Sequence, residues 1–139
     1  MMLESVLISL GANALEEIPR QRRWRLQRAW RSAFARDWQD WSGPLLETDW
    51  HVFSYNYAKH WERAEAVAAF ECVSLQPLMV AANLAEGPMF RCELRTLPDY
   101  VTLRNRWSGD LYLTNELVDW TFVLTHEASC GPYFAARQA

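Results

Sequence analysis

The second half of the chain is a succession of short runs with strand character, and this succession constrains the fold more than any other feature. "PMFRCELR" at 88–95 sets Met89, Arg91 and Glu93 against Phe90, Cys92 and Leu94, the period-two alternation of a half-exposed strand. "DLYLTN" and "DWTFVLTHE" follow as two further strands a few polar residues apart, and "GPYFAAR" closes the chain. "LQPLMVAAN" at 75–83 reads as another strand. Pro77 cannot donate to a ladder and should push that run toward a sheet edge or a late start. "LPDYVTLRNRW" reads as a short helix begun at Pro98.

The first half is different. Residues 19–41, "PRQRRWRLQRAWRSAFARDWQDW", have helical periodicity: Leu26, Trp30, Ala33, Phe34, Trp38 and Trp41 recur as one apolar stripe. Pro19 suits a first helical turn, and Ser42-Gly43-Pro44 ends the pattern. "WHVFSY" at 50–55 alternates with both faces mostly apolar and reads as a central strand. "AKHWERAEAVAAFE" at 58–71 reads as a second helix, its alanines permitting close packing. Helix, strand, helix, then mainly strands predicts an α+β fold: a mostly antiparallel sheet with helices packed on one face and an Arg-rich N-terminal helix. The 139 residues are expected to form a single domain, with 50–134 as its sheet-containing body.

Charge is unevenly placed. The net charge is −3, yet seven arginines (Arg20, Arg22, Arg23, Arg25, Arg28, Arg31 and Arg36) crowd residues 20–36, which hold no acid. Elsewhere seven bases face seventeen acids, so the pattern is a basic helix on an acidic body. Arg25, Arg28, Arg31 and Arg36 fall mostly opposite the apolar stripe. They are candidates to meet another protein, or, as the plainer alternative, a solvated face satisfied by the protein's own acids. Asp110, Glu116, Asp119 and Glu127 lie along the C-terminal strands, where carboxylates can steer a cationic partner. An acidic body repels a nucleic-acid backbone, which disfavours that partner.

Eight tryptophans are heavy usage for this length; most are expected in the core, and some suit an interface. Cys72, Cys92 and Cys130 are odd in number and widely spaced, which reads as reduced thiols and not a disulfide framework. The N-terminal apolar run has no positive region before it, and no apolar run approaches the roughly 20 residues that span a bilayer. The expectation is a cytoplasmic protein without a membrane segment. Only five glycines occur, with no phosphate-cradling loop, and no cofactor is expected.

"DWTFVLTHEASCGPYF" at 119–134 is the stretch most suggestive of chemistry. His126 and Glu127 are the one catalytic pair the sequence offers, as base and orienter of a small hydrolase or nuclease. Neighbours on a strand diverge, so the pair needs a turn between them. A metal site through His126, Glu127 and Cys130 has neither the helical H-E-x-x-H frame nor a second Cys or His at ligand spacing. The plainer reading is a buried strand with a hydrogen-bonded end and a Gly131-Pro132 turn.

"DWHVFSY" at 49–55, the helix ending "AVAAF" and "DLYLTNELVDWTFVLTHEASCGPYF" at 110–134 together resemble a small bacterial family of unknown function, marked by a WHxFSY segment and a terminal W-T-(Y/F)-V-x-T-H-E…G-P-Y-F signature. The resemblance covers roughly the C-terminal two-thirds and implies a bacterial, cytosolic, single-domain α+β protein with no assigned catalytic residues. By analogy in size and style, the expected function is a non-enzymatic protein-binding module of the immunity or inhibitor type, neutralising a toxin or effector. Arg25, Arg28, Arg31, Arg36, Asp110, Asp119 and Glu127 are its candidate contacts, with no metal. The alternatives are the enzyme using His126 and Glu127, and a nucleic-acid accessory protein using the arginine helix.

Overall fold

The structure, a computed structural model, describes residues 2–35 and 48–137. In chain order the elements are α1 (Leu3–Ser9), β1 (Asn13–Glu17), α2 (Arg20–Phe34), α3 (His51–Ser54), β2 (Trp61–Glu62), α4 (Arg63–Glu71), β3 (Leu78–Ala81), β4 (Met89–Glu93), α5 (Tyr100–Arg106), β5 (Leu111–Asn115), β6 (Trp120–Leu124) and β7 (Tyr133–Ala136). The strands form one seven-stranded sheet in the order β1-β4-β3-β5-β6-β7-β2, and every pairing is antiparallel. The α+β class, the antiparallel sheet and the Arg-rich N-terminal helix are as the sequence pattern predicts.

The helices do not share one face, however. Trp30, Ala33 and Phe34 of α2 and Val52 and Phe53 of α3 pack with Met79, Tyr112, Val123 and Tyr133 on one side of the sheet. Leu3 and Leu7 of α1, Ala66 and Phe70 of α4 and Leu103 of α5 pack with Val80, Leu113, Phe122 and Phe134 on the other. The expectation of one covered face is corrected here. The central strands β3, β5 and β6 are buried along their whole length, because alternate residues serve two cores.

Four further differences have local causes. "WHVFSY" is not a strand: His51–Ser54 is a single helical turn, and Asn56 at φ +60° reverses the chain after it. Its apolar alternation misled because Trp50, Val52 and Phe53 are all buried, which a helical turn in a corner achieves as well as a strand. The helix expected over 58–71 starts only at Arg63, since Trp61 and Glu62 first pair with Phe134 and Tyr133 of β7. Of the two readings of Pro77, the late start holds and the edge does not: β3 begins at Leu78, loses no donor and lies between β4 and β5. α1 and β1 lie in an N-terminal stretch where no element was expected, and β1 draws the sheet beyond residues 50–134. Arg36, Trp38 and Trp41 lie outside the described residues, as does any extension of the helix to 41.

Two threonines face each other at the centre of the sheet. Thr114 and Thr121 are register partners on β5 and β6. Thr114 Oγ1 donates to the Trp120 carbonyl at 2.6 Å, Thr121 Oγ1 to the Leu113 carbonyl at 3.0 Å, and Trp30 Nε1 donates to Thr121 Oγ1 at 2.9 Å. Buried hydroxyls and an indole N–H thus satisfy one another, as interior polar groups must, and α2 is tied to the middle of the sheet.

Candidate functional site

The β5–β6 hairpin presents Asp110 at the start of one strand and Thr125, His126 and Glu127 at the end of the other, because Leu111 is paired with Leu124. Asp110 is the hub of this corner. Its Oδ1 lies 2.8 Å from His126 Nδ1 and accepts the His126 backbone N–H at 2.7 Å, while Oδ2 accepts Trp50 Nε1–H at 3.0 Å. Glu127 is the more distant neighbour, 3.7 Å from His126 Nε2. The sequence suggested Glu127 as the orienting carboxylate; the structure assigns that place to Asp110, sixteen residues away. The Asp110 hydrogen bond, and then its charge, raise the His126 pKa above the ordinary histidine value. His126 is itself mostly in water, its side chain 57% exposed, so that pairing is partly screened.

A half-open cavity of about 280 Å³ adjoins His126, lined also by Tyr100, Arg104, Ser108, Glu127 and Cys130. Arg104 of α5 donates to the Thr125 carbonyl at 2.9 Å and the Gly109 carbonyl at 3.2 Å, which fixes its cation on the wall. Cys130 Sγ donates to Glu127 Oε2 at 3.4 Å. Gly131, also on the lining, has φ +83°, and a Cβ there would sit 3.4 Å from the Tyr133 ring, so a side chain meets strain and crowding together. Among the described residues, no group of three or more His, Cys, Asp and Glu side chains is placed to hold a metal ion.

Behind the corner runs a buried polar chain. The Trp50 backbone N–H donates to Tyr112 Oη at 2.9 Å, and complete burial holds that phenol well above its ordinary pKa. Next door, Arg31 Nε meets Asp49 Oδ1 at 2.6 Å, and Gln27 Nε2 donates to Asp49 Oδ2 at 3.2 Å. Burial raises the Asp49 pKa although Arg31 and Gln27 pull it back. Trp50 also lies between His51, at 4.2 Å between ring centroids, and His126, at 6.1 Å. Two of the three segments that carry the family resemblance therefore meet here, around Trp50, Asp110, Tyr112 and His126.

The candidate contact residues divide. Arg25 and Arg28 are exposed on the outer side of α2, with the Arg28 guanidinium 4.7 Å from the centroid of the exposed Trp24 ring. Arg31 is turned inward, its side chain 11% exposed against Asp49, so the expectation that these arginines lie mostly on the outer face is corrected for Arg31. The i, i+3 step from Arg28 carries it round toward the core, and its partner at Asp49 had no signal in the sequence. Asp110 and Glu127 stand at one end of the β5–β6 hairpin, and Glu116 and Asp119 at the other. Glu116 is held by Arg91 at 3.1 Å, and Asp119 accepts from Asn115 Nδ2 at 3.0 Å. The acids do not form one continuous edge. Arg36 falls outside the described residues.

No curated protein matches the chain, and no solved structure matches it. A family of domains of unknown function, DUF4275, matches residues 24–134, a span that starts inside α2 and so includes part of the arginine helix. With most of its length and the whole His126 corner inside that span, the chain belongs to the DUF4275 family.

Proposed function

We propose that this protein is a protein-binding module of the inhibitor or immunity type, and that it meets an acidic partner, such as a toxin or effector, through the outer side of α2. The observation that carries this reading is the exposed Trp24, with Arg28 stacked on it, on a fifteen-residue helix without an acidic side chain. Arg20 and Arg25 are exposed on the same helix. Tryptophan and arginine are the residues most enriched at interface hot spots, and a cation over an indole gains strength when a partner removes it from water. The charge is complementary to an acidic protein. Arg22 and Arg23 add less, since Arg22 lies toward Glu16 and Glu116, and Arg23 donates to the Gly87 carbonyl.

The test compares the wild-type protein with a Trp24→Ala/Arg25→Glu/Arg28→Glu variant as baits in the native host's lysate, at low and at high salt. All three residues are on the surface, so the variant should keep the wild-type circular dichroism spectrum. The expected result is one stoichiometric acidic protein partner, with affinity at least about tenfold lower for the variant and falling with salt for the wild type. Equal recovery by both baits removes the α2 face from the reading. Recovery of nucleic acid, with a steep salt dependence, replaces the protein partner altogether.

A further inference from the structure

The corner at His126 has features that a binding face on α2 does not use. One imidazole nitrogen is committed: Nδ1 faces Asp110 Oδ1 at 2.8 Å, and Asp110 is itself held by the Trp50 indole and the His126 backbone N–H. A carboxylate occupied in this way sets the ring's orientation and places the proton of neutral imidazole on Nδ1, leaving the Nε2 lone pair as the base. Nε2 has no hydrogen-bond partner among the described residues; Glu127 Oε1, at 3.7 Å, is its closest charged neighbour. The adjoining cavity of about 280 Å³ lies at the small end of small-molecule sites, which suits a short acyl ester over a bulky one. Arg104, fixed by two carbonyls, puts positive charge on the cavity wall, where it would favour negative charge building on an attacked carbonyl oxygen.

We propose that His126, positioned by Asp110, is the general base of a second site, one that hydrolyses small acyl esters in this cavity. Cys130 is not the nucleophile, because its Sγ is turned to Glu127 and not to His126. Water takes that role. Nε2 accepts a proton as the water oxygen bonds to the ester carbonyl carbon. The carbon–oxygen bond to the alcohol then breaks, and the proton passes from His126 to the departing alkoxide. One ester and one water become one carboxylic acid and one alcohol, and the imidazole returns to its neutral state. Asp110 does not touch the substrate and is a positioning residue. Among the described residues, the charged and titratable groups around His126 are Asp110, Glu127, Arg104, Tyr100 and Cys130. The two carboxylates favour imidazolium, so the activity should rise with pH as that form loses its proton.

The test measures hydrolysis of p-nitrophenyl acetate and p-nitrophenyl butyrate by the intact chain from about pH 5 to about pH 9, beside free imidazole at the same concentration. The expected result is saturable turnover faster than imidazole, lowered about a hundredfold or more in His126→Gln. In Asp110→Asn, kcat falls and the inflection of rate against pH moves to lower pH, a shift that simple loosening of the corner does not produce. His51→Gln, outside the cavity, should keep the wild-type rate. A wild-type rate no greater than that of imidazole, or a rate that survives His126→Gln in a folded protein, overturns the proposal.

Discussion

Replacing the ion pair between Arg31 and Asp49 tests whether charge or packing holds α2 against the α3 corner. The two atoms are 2.6 Å apart, and the side chains are 11% and 3% exposed. At an effective dielectric of about 20, that separation corresponds to about 6 kcal/mol of gross Coulomb attraction. Removing each ion from water costs several kcal/mol, roughly in balance with that gain. The direction of the Asp49 pKa agrees: burial outweighs the pull of Arg31 and Gln27, so the carboxyl sits above its ordinary value. Arg31→Met takes the guanidinium away from a buried carboxylate that Gln27 still touches, and Asp49→Leu takes that carboxylate away from Arg31; each loss of one member of the pair should lower stability by about 3–5 kcal/mol. The double variant leaves neither charge behind and should lie above both singles, close to the wild type.

Urea unfolding of the four proteins measures this directly. A raised carboxyl pKa contributes stability that is fully present below the unfolded value, about 3.9, and is lost as pH rises through the folded value. Arg31→Met leaves Asp49 with less to oppose burial, so its deficit should shrink as the buffer is taken from neutrality toward about pH 4. A double variant as unstable as the worse single, or an Arg31→Met deficit that does not change with pH, refutes the reasoning.

Phe122→Ala should cost about 3–5 kcal/mol in chemical denaturation, because that ring is fully buried and stacked on Phe70 at 4.2 Å. His126, with its raised pKa, should contribute stability that is present below the unfolded value and fades as pH rises through the folded one; with the ring largely in water, the effect should be small in pH-dependent urea unfolding. An Asp110→Asn variant followed by proton NMR should show the His126 pKa moving down. Asp99 caps α5 by accepting the Thr102 N–H at 2.8 Å, which lowers its pKa, so Asp99→Ala should reduce the melting temperature near neutrality. That difference should close as pH falls through the folded Asp99 value, since a depressed carboxyl stabilises only above it.

What the sequence makes legible is what lies within a few residues of itself. The alternation in "PMFRCELR" and "DWTFVLTHE" located β4 and β6, and the apolar stripe of 26–34 located the inner side of α2. Pro98 marked the start of α5 to within two residues. What stayed hidden depends on partners far along the chain. Asp110 reaches His126 only because the register brings Leu111 opposite Leu124, and nothing in "THE" favours that carboxylate over adjacent Glu127. Arg31 looks like its exposed neighbours until Asp49 is brought beside it. "WHVFSY" carries the apolar content of a strand, but the Trp50 N–H is taken by Tyr112 instead of a ladder carbonyl. The second covered face was foreshadowed by the continuous apolar run of β3, which is the pattern of a strand buried on both sides.

The threonine pair at the middle of β5 and β6 has a consequence for how this sheet avoids mispairing. In a sheet with one wet face, a one-residue slip is punished at once, because polar residues enter the core and apolar ones leave it. Here both faces are apolar, and a slip of β6 against β5 would exchange Trp120 and Phe122 with Thr121 and Val123 while keeping most of the hydrophobic burial. The hydroxyls remove that ambiguity. Thr114 and Thr121 reach the Trp120 and Leu113 carbonyls in one alignment only, and the Trp30 indole must find Thr121 on its own side. In any other alignment three buried polar groups lose their partners, at about 1–3 kcal/mol each. The pair acts as a key that admits a single pairing of two strands whose greasy surfaces would otherwise accept several.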